Sequence, residues 1–274
     1  MKKIAIIGLG IIGGSICAAL TKAGYAVDGA DIDETVVGYA LGKGYIRGKA
    51  EDISVYDVVF VAAPPRATIN ILDSYSFKNG AIVCDICGVK QEMERVVYSR
   101  ARNYRYVGLH PMAGKETSGI ASASADLFAM ANLVIVLAEH TDEEALNEVK
   151  SYAKAMRFGK IVECSAEEHD KKIALTSQLA HVVSNAYVKS PQVADCDGFT
   201  GGSFQDMTRI AGVDEDMWTE LYFHNRAYLL TELDGLITNL EKYKSALINE
   251  DENAFKDALK EGRLIREKIK FKKK

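Results

Sequence analysis

Three glycines near the start of the chain have the spacing of a dinucleotide-binding loop. The segment Gly8-Leu9-Gly10-Ile11-Ile12-Gly13 follows an apolar, β-rich run and opens an amphipathic stretch, which is the context that this motif requires. In such a loop Gly8 permits the tight turn, Gly10 lets the backbone approach a pyrophosphate, and Gly13 lets the helix pack close to the strand. All six residues are therefore predicted to bind a dinucleotide, with its phosphates at the helix N-terminus.

An acidic residue follows at the distance expected for a ribose contact. Asp31 lies eighteen residues after Gly13 and ends the second apolar run. A carboxylate there accepts hydrogen bonds from the ribose hydroxyls and repels a 2′-phosphate, so NAD is favoured over NADP. Asp33 is the alternative for this role, and its position is less suitable. Ala63 and Pro64 follow another apolar run and are expected along the cofactor crevice, unless they form a plain loop leading into a helix.

A single histidine is the candidate base for alcohol oxidation. His110 stands in the segment Gly108-Leu-His-Pro-Met-Ala-Gly114, directly after an apolar run that predicts a buried strand. A residue there should project into the same crevice as the nicotinamide. Oxidising an alcohol needs a group that takes the hydroxyl proton, and imidazole titrates in the useful range. A purely structural histidine is the alternative.

Two further polar pairs have spacings that suggest substrate recognition. Ser177 and His181 are four residues apart on an otherwise apolar helical stretch, where a buried polar pair is costly unless it binds something. A core histidine that bonds to a neighbour is the alternative. Asp206 and Arg209 face the same way on a later helix. Arg209 suits bidentate recognition of a carboxylate with Asp206 orienting it, although an internal ion pair is equally compatible with the spacing.

The first part of the chain predicts the elements that would position these residues. Helical stretches separate short β-rich runs up to about Cys164, which indicates an α/β Rossmann-type domain with a doubly wound parallel sheet over residues 1–164. The predicted strands are Lys3–Ile7, Ala26–Ala30, Asp57–Ala62, Ala81–Cys84, Tyr106–Leu109, Leu133–Leu137 and Lys160–Val162. The predicted helices between them include Ile12–Ala23, Arg66–Asp73, Lys90–Arg102 and Asp142–Met156.

The remainder, residues 165–274, is predicted to be an all-α domain. Ser165 to Glu168 has the pattern of a capping box and opens a long helix that runs to about Val188. Pro191 and the segment Gly198–Gly202 interrupt it, and three more helices are expected after the break. Helical domains with long apolar faces often complete their core across a dimer interface, so we expect a substrate and dimerisation domain. A bundle that closes on itself is the alternative.

Composition and charge restrict the class of protein. Hydrophobic residues make up 48% of the chain, charged residues make up 26%, and the formal net charge is −4. This balance predicts no binding to nucleic acid or to an anionic membrane, and no apolar run is long enough to cross a bilayer. The five cysteines are scattered, so a cytoplasmic protein is expected. Cys84 and Cys87 form a C-x-x-C pair that no other cluster completes, so no metal is expected.

Four blocks of this sequence occur together, and in the same order, in the prephenate dehydrogenase family. The resemblance covers about residues 1–270, and the second and fourth blocks are far more specific than the glycine motif. The blocks are Gly8-Leu-Gly-Ile-Ile-Gly-Gly-Ser15, His110-Pro-Met-Ala-Gly114 followed by Glu116, Ser177 to His181, and Asp206-Met-Thr-Arg-Ile-Ala211.

The resemblance implies NAD-dependent oxidative decarboxylation of prephenate to 4-hydroxyphenylpyruvate, on the route to tyrosine. By position, His110 resembles the residue that engages the ring hydroxyl. Ser177, His181 and Arg209 resemble the substrate contacts of the family, and Glu116 resembles a group that gates the pocket. Losing hydride and the ring carboxylate makes the ring aromatic, so the reaction requires no metal. The substrate carries two carboxylates, which cationic groups can bind.

The sequence departs from the common family pattern at two positions. Many members have a serine before the Val-Lys pair that follows the fourth of the predicted strands, and this serine orients the catalytic histidine; here Gly88 occupies that position. Cys87, a backbone group or water could orient His110 instead. Lys115 stands where many relatives carry threonine, and it would add positive charge near an anionic substrate or simply face the solvent.

Three other functions are compatible with parts of this pattern. The same fold could act on arogenate, which carries an amine on its side chain and would favour an acidic contact. A 3-hydroxyacid dehydrogenase shares the two-domain plan, but its catalytic residues do not match the segment Asp206–Ala211. A non-catalytic nucleotide sensor would explain the missing serine, whereas His110, His181 and Arg209 argue against it.

Overall fold

The computed structural model describes residues 2–115 and 117–269, and its first part is built on one sheet of eight strands. The strand order is β3-β2-β1-β4-β5-β6-β7-β8. The strands are β1 (Ile4–Ile7), β2 (Val27–Ala30), β3 (Gly48–Lys49), β4 (Val58–Val61), β5 (Ile82–Asp85), β6 (Arg105–Met112), β7 (Asn132–Val136) and β8 (Lys160–Cys164). Because β1 lies between β2 and β4, the strand order reverses there and opens a crevice at the carboxyl ends of the strands.

Helices cover both faces of this sheet, which confirms the predicted fold class. Residues of the central strands alternate between two apolar clusters: Ile6 and Phe60 belong to one, while Ala5 and Val59 belong to the other. Strands buried on both faces read as continuous apolar runs, as these do. The helices of this part are α1 (Ile11–Lys22), α2 (Glu34–Gly42), α3 (Pro65–Ser74), α4 (Gln91–Tyr98) and α5 (Glu143–Ala155).

The sheet differs from the prediction in two details. β7 runs antiparallel to β6, with His110 paired to Val134. A parallel return needs a long crossover, usually a helix, and the described residues between these strands form one short 3₁₀ helix, Ile120–Ser122. The two-residue strand β3 was not predicted, because it lacks an apolar run.

The strand β6 is also longer than the predicted strand Tyr106–Leu109. Because β6 continues to Met112, His110 lies inside this strand and not after its end.

The two cysteines of the C-x-x-C pair lie on opposite sides of the sheet. Cys84 belongs to the apolar cluster that contains Phe60, and Cys87 belongs to the cluster that contains Val59. Both side chains are buried, and burial raises the pKa of the Cys87 thiol to about 12. This pair is therefore part of the core of the domain.

The described part of the chain after Cys164 contains helices joined by loops and no strand, as predicted. The Ser165 hydroxyl accepts the Glu168 N–H at 3.1 Å and caps the first helix. Four α-helices, not three, follow the break after Tyr187. The helices are α6 (Ala166–Ile173), a π-helical segment (Ala174–Leu179), α7 (Ala180–Tyr187), α8 (Gly202–Thr208), α9 (Glu215–His224), α10 (Arg226–Ile248) and α11 (Glu252–Lys268).

The chain divides into two compact units, with the boundary between Arg226 and Ala227. In the second unit, the Tyr243 ring packs edge-on against Phe255, and the Tyr243 hydroxyl donates to the Ala258 carbonyl at 3.3 Å. This pair joins α10 to α11. The two helices leave several large apolar side chains exposed, which are Leu230, Ile237, Leu240, Leu247, Ile248, Leu259, Leu264 and Ile265. Within residues 2–115 and 117–269, no helix is both long enough and apolar enough to cross a membrane.

Candidate active site

The glycine loop between β1 and α1 is closed by backbone contacts that leave no room for a side chain at Gly8 or Gly13. Gly8 has φ +88°, and a Cβ there would lie 2.4 Å from the Ala62 carbonyl oxygen. A Cβ on Gly13 would lie 1.8 Å from the Gly8 carbonyl oxygen. In contrast, a Cβ on Gly10 would meet nothing within 4 Å. The loop is thus tight on its inner side and open at Gly10, where a pyrophosphate needs access to the backbone.

Asp31 is held beside this loop at the end of β2. Its Oδ2 accepts the Leu9 N–H at 2.7 Å, and its Oδ1 accepts the Asp33 N–H at 3.0 Å. The Asp33 carboxylate instead caps α2, because it accepts the Thr35 N–H and the Thr35 hydroxyl. Of the two aspartates, Asp31 is therefore the one that bonds to the glycine loop.

Ala63 and Pro64 lie between β4 and α3, next to the glycine loop. The Ala63 carbonyl accepts the Thr68 hydroxyl at 2.8 Å, which fixes the start of α3. The Arg66 N–H, also at that start, donates to Glu220 on α9 at 3.0 Å. The segment lies at the carboxyl end of β4, as the sequence predicts for the cofactor crevice, and the helical region contributes to its position.

His110 on β6 contacts a second histidine that the sequence analysis did not identify. The His110 Nδ1 lies 2.8 Å from the Nε2 of His169, which belongs to α6. The His169 Nδ1 lies in turn 2.7 Å from the Asp170 Oδ1. His169 and Asp170 are almost completely buried. Three side chains therefore form a line from the core to His110, in the order Asp170, His169, His110.

The carboxylate at the end of this line is bound to the N-terminus of α4. Asp170 Oδ1 accepts the Lys90 N–H and Oδ2 accepts the Gln91 N–H, each at 2.9 Å. The first N–H groups of a helix have no partner within the helix, and they favour a negative charge. The Lys90 side chain is fully buried and pairs with Asp85, with Nζ 2.5 Å from Oδ1. Asp170 is thus fixed by two backbone donors.

The Nε2 side of His110 faces the position where relatives carry serine. A Cβ on Gly88 would lie 3.8 Å from the His110 Nε2 and 3.2 Å from the Leu221 Cδ2. His110 retains partial exposure. Because Nδ1 contacts His169, the Nε2 edge is the one that can meet a ligand. Of the three candidates considered for orienting His110, Cys87 is buried in the core, while His169, which was not among them, contacts the His110 Nδ1.

The surroundings of the two histidines keep both rings neutral. Burial lowers the pKa of His110 well below its ordinary value, and His169 and Lys90 add to this effect. Burial also lowers the pKa of His169, although its bond to Asp170 opposes the change. A base with a depressed pKa stays unprotonated, and able to accept a proton, in mildly acidic solution.

Stability is therefore expected to fall as the pH decreases below about 6.5. In that range the histidines of the unfolded chain take up protons, whereas His110 and His169 of the folded chain do not, because their pKa values are lowered. Each histidine should cost about 1.4 kcal/mol of unfolding free energy per pH unit until its folded-state pKa is reached. The check is the urea midpoint at pH 7.5, 6.5 and 5.5. His110→Asn should flatten the dependence, and an unchanged slope in this variant would contradict the assignment.

Ser177 and His181 lie on the same long helix as His169, at a π-helical segment. The His181 Nδ1 bonds to the Ser177 carbonyl at 2.9 Å, and the His181 ring packs on Trp218 with centroids 3.9 Å apart. Single π-helical turns often occur at functional sites. Because Nδ1 donates to a carbonyl, the Nε2 of His181 is available to a ligand. The core-histidine alternative accounts for only one of its two nitrogens.

The remaining predicted residues lie on the surface or outside the described residues. Asp206 belongs to α8, Arg209 directly follows it, and both are exposed. The Lys115 Nζ donates to the Ser122 carbonyl at 2.8 Å. Glu116 lies outside the described residues. The structure therefore places the dinucleotide residues together and links His110 to the helix that carries Ser177 and His181.

A buried amide cluster was also missed and holds this helix in place. Asn225 donates to the Gln178 side chain at 2.7 Å and to the Asp170 carbonyl at 2.9 Å. Gln178 in turn donates to the Leu221 carbonyl at 3.1 Å. The sequence gives only a weak signal for His169 and Asp170, because these residues follow two glutamates and look like part of an exposed turn.

A glycine loop of the dinucleotide-binding type, an aspartate bonded to it and a histidine near the carboxyl end of β6 are the features of an NAD-dependent dehydrogenase, here with a helical second part. The chain belongs to the prephenate dehydrogenase family. The family's nucleotide-binding domain matches residues 16–162, and its dimerization domain matches residues 165–261.

Characterised relatives agree with this assignment. A prephenate dehydrogenase from Bacillus subtilis is 30% identical over 92% of this chain and 72% of its own length. A cyclohexadienyl dehydrogenase from Zymomonas mobilis is 30% identical over 98% of this chain and 96% of its own length. The crystal structure of the Aquifex aeolicus prephenate dehydrogenase in complex with hydroxyphenyl propionate and NAD⁺ is 28% identical, with a TM-score of 0.83 over 98% of this chain and 99% of that one.

Proposed function

We propose that this protein catalyses the NAD-dependent oxidative decarboxylation of prephenate to 4-hydroxyphenylpyruvate, with His110 as the base. The observation that carries this proposal is the state of His110. Its Nδ1 is occupied by His169, its ring is kept neutral, and its Nε2 faces the space beside Gly88. Neutral imidazole with one free nitrogen is the form that accepts a proton from an alcohol.

The reaction requires one proton acceptor and recognition of two carboxylates. His110 Nε2 takes the proton of the ring hydroxyl. NAD, when bound at the glycine loop, would supply the acceptor for the hydride that leaves the carbon bearing this hydroxyl. The ring carboxylate then leaves as carbon dioxide, and its bonding electrons complete the aromatic ring and pass to the oxygen. His110 returns its proton to that oxygen, so it ends the cycle neutral.

Substrate recognition is assigned to residues of the helical part and of the segment after β6. Arg209 binds a substrate carboxylate, with Asp206 orienting its guanidinium. His181 and Ser177 bind the other polar groups, and the Nε2 of His181 is placed for this by its Nδ1 bond to the Ser177 carbonyl. Lys115 and Glu116 are assigned to the entrance of the pocket.

Asp31 is assigned to the cofactor ribose, and its replacement should change the cofactor preference. For Asp31→Ala we expect the KM for NAD to rise by about 10- to 100-fold, since bonds to a charged group contribute roughly 1.5–3 kcal/mol each. Discrimination against NADP should decrease in parallel. The matched control is Asp33→Ala, which removes the cap of α2 at a cost of about 1 kcal/mol and should leave the KM for NAD nearly unchanged. Equal effects in both variants would contradict the assignment.

The assay that tests the function compares prephenate with arogenate, each with NAD, by the absorbance of NADH. Faster turnover of prephenate supports the proposal, and preference for arogenate would keep the mechanism and change the substrate. Bound NAD without turnover of either compound would instead favour a 3-hydroxyacid dehydrogenase or a nucleotide sensor.

The assembly and location of the enzyme follow from the same features. We place the division between the dinucleotide domain, residues 1–164, and the helical substrate and dimerisation domain, residues 165–274, at the end of β8. The boundaries of the two family domains support this division. The enzyme is a homodimer, and the exposed apolar side chains of α10 and α11 support an interface there. A cytoplasmic location is supported by five free cysteines.

A further inference from the structure

With both rings neutral, as their lowered pKa values indicate, the three side chains behind the proposed base admit a single arrangement of protons. Asp170 accepts two backbone N–H groups at the N-terminus of α4, and a carboxylate in such a position is anionic. An anionic carboxylate only accepts, so the His169 Nδ1 must donate to it across 2.7 Å. The His169 ring is neutral, and its Nε2 therefore carries a lone pair.

The same logic extends from His169 to His110. Since the His169 Nε2 is an acceptor, the His110 Nδ1 that lies 2.8 Å from it must carry the proton. In a neutral ring the other nitrogen, Nε2, is then unprotonated. The Nε2 is also the ring nitrogen that lies nearer Gly88, away from the contact with His169. The orientation and the tautomer of His110 thus both follow from the anchored carboxylate.

We propose that His169 and Asp170 are positioning residues that hold His110 in the tautomer whose Nε2 accepts the substrate proton. They act on the Nδ1 of this ring, whereas Gly88 lies nearer its Nε2. This inference extends the proposed function, since it assumes that His110 is the base. Hydrogen bonding of the far nitrogen of a base to a carboxylate is a general way to fix its tautomer, and here a second imidazole is inserted between them.

The surroundings of the pair argue against a purely structural role. Asp170 already satisfies α4 through its two backbone bonds, which do not need His169. His169 links that carboxylate to His110, and it is only 2% exposed. A buried imidazole lined up with two partners costs desolvation that an apolar side chain would avoid. The cost is accounted for if the line controls the base.

Two variants of His169 separate the role of the acceptor from that of packing. The variant His169→Phe keeps an aromatic ring but removes the nitrogen that accepts the His110 Nδ1–H. In His169→Gln, the introduced amide oxygen can still accept this hydrogen bond. We expect His169→Phe to lower kcat by about 10- to 100-fold with the KM values for prephenate and NAD within about twofold. His169→Gln should recover most of this loss. The proposal is overturned if His169→Phe turns over within twofold of wild type, or if His169→Gln is as impaired as His169→Phe while binding NAD normally.

The tautomer itself is measured on the wild-type enzyme with ¹⁵N-labelled histidine. Long-range ¹H–¹⁵N correlations distinguish protonated from unprotonated ring nitrogens, and His110→Asn assigns the signals. We expect a protonated Nδ1 and an unprotonated Nε2 on His110 at pH 7; the reverse pattern would refute the proposal even if His169→Phe does not fold. This measurement needs no substrate. Absent turnover of prephenate would therefore count against the proposed function alone, while the nitrogen shifts still decide the tautomer.

Discussion

Replacement of His110 by asparagine should lower kcat for prephenate by about 100- to 10,000-fold, the usual contribution of a general base. Asparagine is smaller than histidine and its side-chain nitrogen can still donate to the His169 Nε2, so the fold and the KM for NAD should change little. The amide has no lone pair of comparable basicity to accept the substrate proton. The remaining rate would come from binding both reactants together and from the aromatic product. The measurement is NADH formation at saturating NAD and prephenate.

His140→Asn provides the matched control for this variant. His140 is exposed and packs only edge-on against Tyr98, so the same substitution there should leave kcat within about twofold of wild type. A loss of less than tenfold in His110→Asn would remove His110 from the role of base. A loss that comes entirely through the KM for prephenate would instead make His110 a binding residue.

The features that could be predicted from the sequence are those that local patterns specify. The glycine loop, the position of Asp31 and the Ser165 cap each depend on residues that are close together along the chain, so their spacing identifies them. The apolar runs likewise predicted most strands of the sheet. Once the sheet was predicted, the carboxyl-end crevice followed from its topology.

The features that were missed depend on contacts between distant residues. His169 meets His110 across 59 positions of the chain, and Asp170 meets Lys90 across 80. Neither pair has a local pattern, and His169 follows glutamates that suggest a solvated helix start. The antiparallel β7 was missed for a related reason, since an apolar run does not specify the direction of its strand.

The sequence also did not predict the π-helical segment. Its residues, Ala174–Leu179, continue the helical pattern on both sides, so spacing alone suggests one regular helix to Val188. The Ser177 carbonyl in this segment accepts both the Ala180 N–H and the His181 Nδ1–H. The sequence thus predicted that Ser177 and His181 share a face, while the bond that orients His181 follows from the backbone geometry.

The other large effect is expected at the glycine loop, where Gly13→Ala should destabilise the fold by about 3 kcal/mol or more. The added methyl group would lie 1.8 Å from the Gly8 carbonyl oxygen, and backbone is the hardest neighbour to displace. Either α1 or the β1 turn must move, so NAD binding should be lost together with stability. The checks are the urea midpoint and the dissociation constant of NAD, measured on the same sample.

Gly10→Ala separates the two effects, because a methyl group at that position meets nothing within 4 Å of the protein. We expect its urea midpoint to remain close to that of wild type, whereas its affinity for NAD should fall by about tenfold or more, since the methyl group occupies the space where the pyrophosphate approaches the backbone. Gly13 thus serves the packing of α1 on the sheet and Gly10 serves the ligand. If Gly10→Ala binds NAD normally, the pyrophosphate does not approach the loop at this point. If Gly13→Ala is as stable as wild type, the close packing of α1 against β1 is not what the glycine is needed for.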